Sequence, residues 1–262
     1  MEIIGYTLAV FIGIILGLIG SGGSIIAVPV LVYIMHIEPA LATAYSLFTV
    51  GITALFGALQ KLEKQEVAFD KVFLFGIPTM VSVFLTRKFM LPNIPEMIDF
   101  LSFFQIKKSV FIMILFALVM FASAIKMILP SKNTDDINNQ NYYYFKIITF
   151  GSLIGIIAGF VGSGGGFLII PALVYLTNTP MKLAVGTSLF IIAAQSLLGF
   201  LGDVINQHYL DWKFLFTFSG LAIVGIYLGN LLSERIDGNK LKKGFGYFVL
   251  TMSILIFVKE IS

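Results

Sequence analysis

The sequence contains no cysteine, which excludes disulfides, thiolate metal sites and cysteine-based redox or relay chemistry. Charge is scarce: Asp, Glu, Lys and Arg make up 12% of the 262 residues, where a soluble surface carries roughly 25–35%. The charges also avoid the middle of the apolar stretches. No intramembrane proton carrier is therefore expected, and no buried cation able to pair with a substrate. Glu38, Asp203, His36 and His208 fall at segment ends or in loops, where a solvated role is expected. No H-E-x-x-H signature and no Walker A loop occurs, so neither metal nor cofactor is expected. Ser21 and Ser163 have no intramembrane histidine or lysine to activate them, and Gly162-Ser-Gly-Gly-Gly has no preceding strand to make it a dinucleotide fingerprint. An enzyme is not expected. No basic groove with interleaved aromatics is present, which argues against nucleic acid.

What the chain has in abundance is apolar length. Hydrophobic residues are 58% of the total and mean hydropathy is +0.97. Uncharged runs such as 109–125, 145–161 and 214–232 approach the roughly 20 residues that cross a bilayer core. Ten apolar segments are predicted: 3–20, 24–35, 40–58, 69–88, 108–129, 145–162, 166–177, 183–203, 213–233 and 244–260. The chain reads as an all-α, multi-pass integral membrane protein whose first partner is the bilayer. Met1-Glu2 leads straight into 3–19 with neither a basic start nor a small-residue cleavage site, so that segment is expected to stay. A polar run from Ser131 to Asn141 divides the chain into a first repeat (1–130), a linker (131–143) and a second repeat (144–262). In 92–108, Ile94, Met97, Ile98, Leu101 and Phe104 recur at helical spacing with Glu96 and Asp99 between them. That pattern predicts an amphipathic helix on the membrane surface.

The halves repeat at an offset of 142. The stretch Gly17-Leu-Ile-Gly-Ser-Gly-Gly-Ser-Ile-Ile-Ala-Val-Pro-Val-Leu-Val-Tyr33 matches Gly159-Phe-Val-Gly-Ser-Gly-Gly-Gly-Phe-Leu-Ile-Ile-Pro-Ala-Leu-Val-Tyr175, with nine of seventeen positions identical. Tyr45-Ser46-Leu47-Phe48 then meets Thr187-Ser188-Leu189-Phe190, and Gly57 meets Gly199. Segments 24–35 and 166–177, of about twelve residues, are near 18 Å long and too short for a core about 30 Å thick. If they re-enter, each half crosses three times; if they cross, five. Both counts are odd and make the repeats inverted. If they merely extend the preceding segment, each half crosses four times and the repeats are parallel. The odd parse gathers Lys61, Lys64, Lys71, Lys126, Lys132, Lys146, Lys182, Arg235, Lys240, Lys242 and Lys243 on one side. Arg87, Lys88, Lys107, Lys108, Lys213 and Lys259 fall opposite. That bias favours inversion, with the linker cytoplasmic and both termini outside a bacterial-type inner membrane.

The doubled Gly-Ser-Gly-Gly carries the chemistry. Gly20, Ser21, Gly22 and Gly23, and again Gly162, Ser163, Gly164 and Gly165, each precede a short helix starting near Ser24 or Gly166. A helix N-terminus presents free N–H groups and about half a positive charge. Glycines let an anion approach closely and the serine adds a donor. Two such ends facing one point near mid-membrane would hold an anion by dipoles alone. Small residues that only pack helices are the competing reading. The hydroxyls of Tyr45, Ser46, Thr187 and Ser188 either complete the anion's hydrogen bonds or bond back to the preceding turn. Gln195, opposite Thr53 in the repeat, reads as interhelical glue.

Two halves that each run G-x-x-G-S-G-G-[SG] into an apolar stretch and a proline, then A-x-x-x-S-L, resemble the sulfite exporter TauE/SafE family of membrane permeases across nearly the whole chain. The resemblance implies an all-helical inverted repeat. It also implies transport of a small sulfur-containing anion, such as sulfite or an organosulfur acid, with the family's glycine-serine motifs at 20–23 and 162–165. Related thiosulfate uptake proteins carry cysteines along the path; this chain has none. The alternative is a non-transporting membrane partner that assembles or anchors another complex. Homo-oligomerisation stays open.

Overall fold

The computed structural model describes residues 2–20, 23–100, 104–129, 140–162, 165–177, 179–205, 210–233 and 238–261. Ser21, Gly22, Ser163, Gly164, His208 and the linker stretch 130–139 lie outside these.

All ten apolar segments are helical. α1 is Glu2–Ile19; α2 is Gly23–Pro29, running on as a π-helical turn Val30–Ile34; α3 is Pro39–Glu63. α4 fills Phe69–Asn93, α5 is Lys108–Ile128, α6 Gln140–Val161 and α7 Gly166–Leu176. α8 is Met181–Val204, α9 Trp212–Ser233 and α10 Gly238–Ile261. Among the described residues six helices are long and apolar enough to cross a membrane. Side chains such as Phe73, Phe145 and Phe216 lie exposed on the outer faces, as a lipid-facing surface requires.

Two expectations are corrected. Residues 92–108 do not form a surface helix: α4 ends at Asn93, and Met97–Phe100 (β1) pairs antiparallel with Phe104–Lys107 (β2). A short apolar run suits either period, and here the ladder supplies the backbone partners. Residues 140–143, read as linker, begin α6.

α4 also runs five residues past its expected end, so Arg87 and Lys88 lie inside the helix rather than at its end. It is not regular. π-helical turns at Val72–Gly76 and Thr86–Met90 each end two residues before a proline, Pro78 and Pro92. Proline lacks the N–H that would complete the α-helical ladder and crowds the carbonyl four residues back; the wider turn absorbs that misfit.

α3 and α8 form the centre. In each, 72% of the membrane-length window is buried, against 33% to 44% for the other long spans. They run antiparallel: Gly51 meets Leu197, Gly199 meets Leu47, Gly57 meets Leu189, and Gly186 meets Lys61. Around them the halves exchange partners. α1 packs parallel to α9, and α6 parallel to α4. Both interfaces are backbone on backbone. A methyl group added at Gly225 would fall 2.1 Å from the Val10 carbonyl oxygen, and one at Gly155 would fall 2.5 Å from that of Thr79. Gly13 and Gly17 in α1, Gly225 and Gly229 in α9, and Gly151, Gly155 and Gly159 in α6 recur every four residues, the spacing that lets membrane helices approach closely. α2 folds back along α1, with Gly23 against Ile12 and Leu16 and Met35 against Gly5.

Candidate functional site

Each glycine-serine segment opens on a residue whose backbone favours glycine. Gly20 and Gly162 have φ of +78° and +67°, and Gly165, before α7, has +58°. Each turn seats against the long helix of the other half. A methyl group at Gly20 would fall 2.7 Å from Val185 of α8, and one at Gly162 would fall 2.2 Å from Thr43 of α3. Thr43 and Val185 are themselves one repeat offset apart.

The turns do not meet at one point. Val185 is next to Gly186, which faces Lys61, whereas the Gly162 turn faces Thr43. Eighteen residues of α3, about 27 Å, separate those levels. The expectation of a single dipole site at mid-membrane is replaced by two turns at opposite ends of the α3–α8 pair. The repeat gave the equivalence of the turns. The antiparallel packing of α3 on α8, which sets their separation, is a tertiary property that the motif does not carry.

The four candidate hydroxyls are buried. The Tyr45 hydroxyl accepts a hydrogen bond from the Asp211 N–H at 2.9 Å, one residue before α9; Thr187 accepts from the Ala68 N–H at 2.9 Å, one residue before α4. These equivalent positions do equivalent work, each tying down the start of a helix in the other half. Thr187 also donates to the Leu183 carbonyl at 2.6 Å and Ser188 to that of Val185 at 2.8 Å. Ser188 reaches the Gly20 carbonyl at 3.5 Å. Ser46, its counterpart, has no hydrogen-bond partner among the described residues, and neither has Thr53. Gln195 is buried with its amide nitrogen at the Gly165 turn, 3.7 Å from where a β-carbon there would lie.

The largest correction concerns charge. His36 and Glu38 are exposed, Glu38 accepting from the Leu41 N–H to cap α3. Asp203, however, is 4% exposed and Arg87 is 0% exposed. Arg87 Nη1 donates to Asp203 Oδ2 at 3.0 Å, to its Oδ1 at 3.3 Å and to Thr43 Oγ1 at 3.0 Å. Arg87 Nη2 lies 2.3 Å from the position of a methyl group at Gly162. The chain therefore does hold a buried cation, and it sits against one of the two glycine turns. The signal in the sequence was Pro92, whose position lets α4 continue past Arg87.

A multi-pass helical protein with a repeated glycine turn and a buried ion pair between its halves has a build that suits a membrane transporter. Comparison with known proteins names the group: the sequence model of the sulfite exporter TauE/SafE family matches residues 6–256, and the chain belongs to that family. It is 28% identical over 251 residues to a probable membrane transporter protein of Xylella fastidiosa (strain Temecula1), covering 94% of this chain and 90% of that one. It is 26% identical over 269 residues to the probable membrane transporter protein YunE of Bacillus subtilis (strain 168), covering 96% and 95%. A probable membrane transporter protein of Haemophilus influenzae is 24% identical over 267 residues, 94% of each chain. No solved structure gives a significant match.

Proposed function

We propose that this transporter is a permease for a small oxyanion of the sulfite class, built as an inverted repeat in a bacterial-type inner membrane. The observation that carries the reading is the reciprocal seating of two glycine turns, one from each half, on the opposite half's central helix. Inversion is supported by α3 and α8: they are equivalent in the repeat yet run antiparallel, as an axis in the membrane plane requires. By the lysine bias the Gly20 turn lies toward the cytoplasm and the Gly162 turn toward the outside. Each turn is an anion-receiving position on one face. Gly20, Ser21, Gly22 and Gly23 form the inner one. Gly162, Ser163, Gly164 and Gly165 form the outer one, at the start of α7. Ser188 sits behind the inner one, and Tyr45 and Thr187 brace the adjoining helix starts. The inside-negative potential drives exit of an anion by about 2.3 kcal/mol per charge per 100 mV, so the direction is export.

The test is sulfite flux and sulfite binding in purified protein. Ser21→Ala and Ser163→Ala each remove one donor to a charged group, a loss of about 1.5–3 kcal/mol, or ten- to hundredfold in affinity. Gly22→Ala and Gly164→Ala, which place a methyl group where the backbone receives the anion, should do at least as much harm. Wild-type affinity in all four monodisperse variants would make the turns packing devices. An anchoring partner without transport would show no flux in the wild type.

A further inference from the structure

The geometry points to Arg87 as the cationic ligand of the anion at the Gly162 turn, with Asp203 as the counter-ion that holds Arg87 when the anion is absent. This rests on the anion-permease reading and names the group that binds the cargo.

A guanidinium has two edges. In Arg87 only Nη1 is used, by Asp203 and Thr43. Among the described residues Nε and Nη2 have no hydrogen-bond partner, although the side chain is fully buried. These two nitrogens form the side-on fork whose parallel N–H groups match two oxygens of an oxyanion. Leaving that fork unpaired in a buried setting is costly, and an oxyanion is the ligand chemistry that satisfies it. The fork lies beside the positive-φ Gly162, where the missing side chain lets the guanidinium and Thr43 come up against the backbone. The N-terminus of the eleven-residue α7 follows four residues later. Arg87 also sits in the π-helical turn Thr86–Met90, a local widening of the kind found at functional sites.

The other half shows what the position looks like without this duty. α1 against α9 repeats α6 against α4, and there Asn230 of α9 donates to Gln60 of α3. Asn230 thus stands on α9 where Arg87 stands on α4, while the counterpart of Asp203 at the offset of 142 is Lys61, itself buried and paired with Glu66 at 2.7 Å. An uncharged side chain packs at the position of Arg87 in the other half, and the guanidinium there calls for another cause.

The double variant Arg87→Asn with Asp203→Gln replaces the ion pair by two amides and tests the assignment. Sulfite binding to the monodisperse double variant should be at least a hundredfold weaker than to the wild type, with little change in unfolding temperature. Binding like the wild type would overturn the role of Arg87 while leaving the permease reading intact. A wild type that binds no sulfite would overturn both. If the double variant does not fold, Arg87→Lys decides: it keeps the charge and loses the fork, so affinity should drop about tenfold, and unchanged affinity would overturn the assignment. Asp203→Asn should act in the opposite sense, tightening sulfite about tenfold because the competing carboxylate is gone. Asp203→Asn that binds sulfite no more tightly would contradict the counter-ion role.

Discussion

At the scale of single residues, burial decides what a polar group does. Tyr45 and Thr187 are candidates either for the anion's hydrogen bonds or for bonds to the preceding turn, and each receives a backbone N–H from the opposite half. Tyr45→Phe should therefore cost about 1 kcal/mol of stability through the lost bond and leave sulfite affinity within a few-fold of the wild type. Thermal unfolding read beside binding checks this. A tenfold loss of affinity at unchanged stability would return the hydroxyl to the site. Asp203 behaves differently. Its removal leaves a buried guanidinium without its partner, a loss of about 3–5 kcal/mol. Asp203→Asn should thus be markedly less stable than the wild type without anion and should regain most of that loss in saturating sulfite.

At the scale of elements, glycine spacing sets the architecture. Gly225 lies on the α1 backbone with no room for a methyl group, whereas Gly220 on the same helix has nothing within 4 Å. Gly225→Ala should destabilise by about 1–3 kcal/mol because α1 and α9 must move apart; Gly220→Ala should be neutral. Equal unfolding temperatures for the two would show that the interface is looser than drawn. The sequence made such elements readable because apolar run length is a direct membrane signal, and all ten helices stand within six residues of their expected bounds. It misread 97–107, where a short apolar run fits two periods. The end of α4 also departs from the expectation: Arg87 and Lys88 close the apolar run but not the helix. A charge closes a membrane helix only if it meets water. Arg87 meets Asp203 and Thr43, two residues far away in sequence, and nothing local records that.

At the scale of the whole molecule, the duplication was legible because one motif recurs at one offset. The relation between the copies was not, since it depends on how α3 lies against α8. Their antiparallel course separates the turns and gives each face of the bundle its own. The inverted reading has a direct topological consequence. Reporter fusions at residue 137 and at the C-terminus should report opposite sides, with residue 137 cytoplasmic; finding both on one side would require parallel repeats.

The oxyanion proposed as cargo is held at Arg87 beside the Gly162 turn. The decisive measurement is sulfite efflux from proteoliposomes under an imposed inside-negative potential, with wild type compared with the Arg87→Asn, Asp203→Gln double variant. Potential-dependent flux is expected in the wild type and a rate at the protein-free background in the double variant. Equal flux in the two, or none in the wild type, would overturn the proposal.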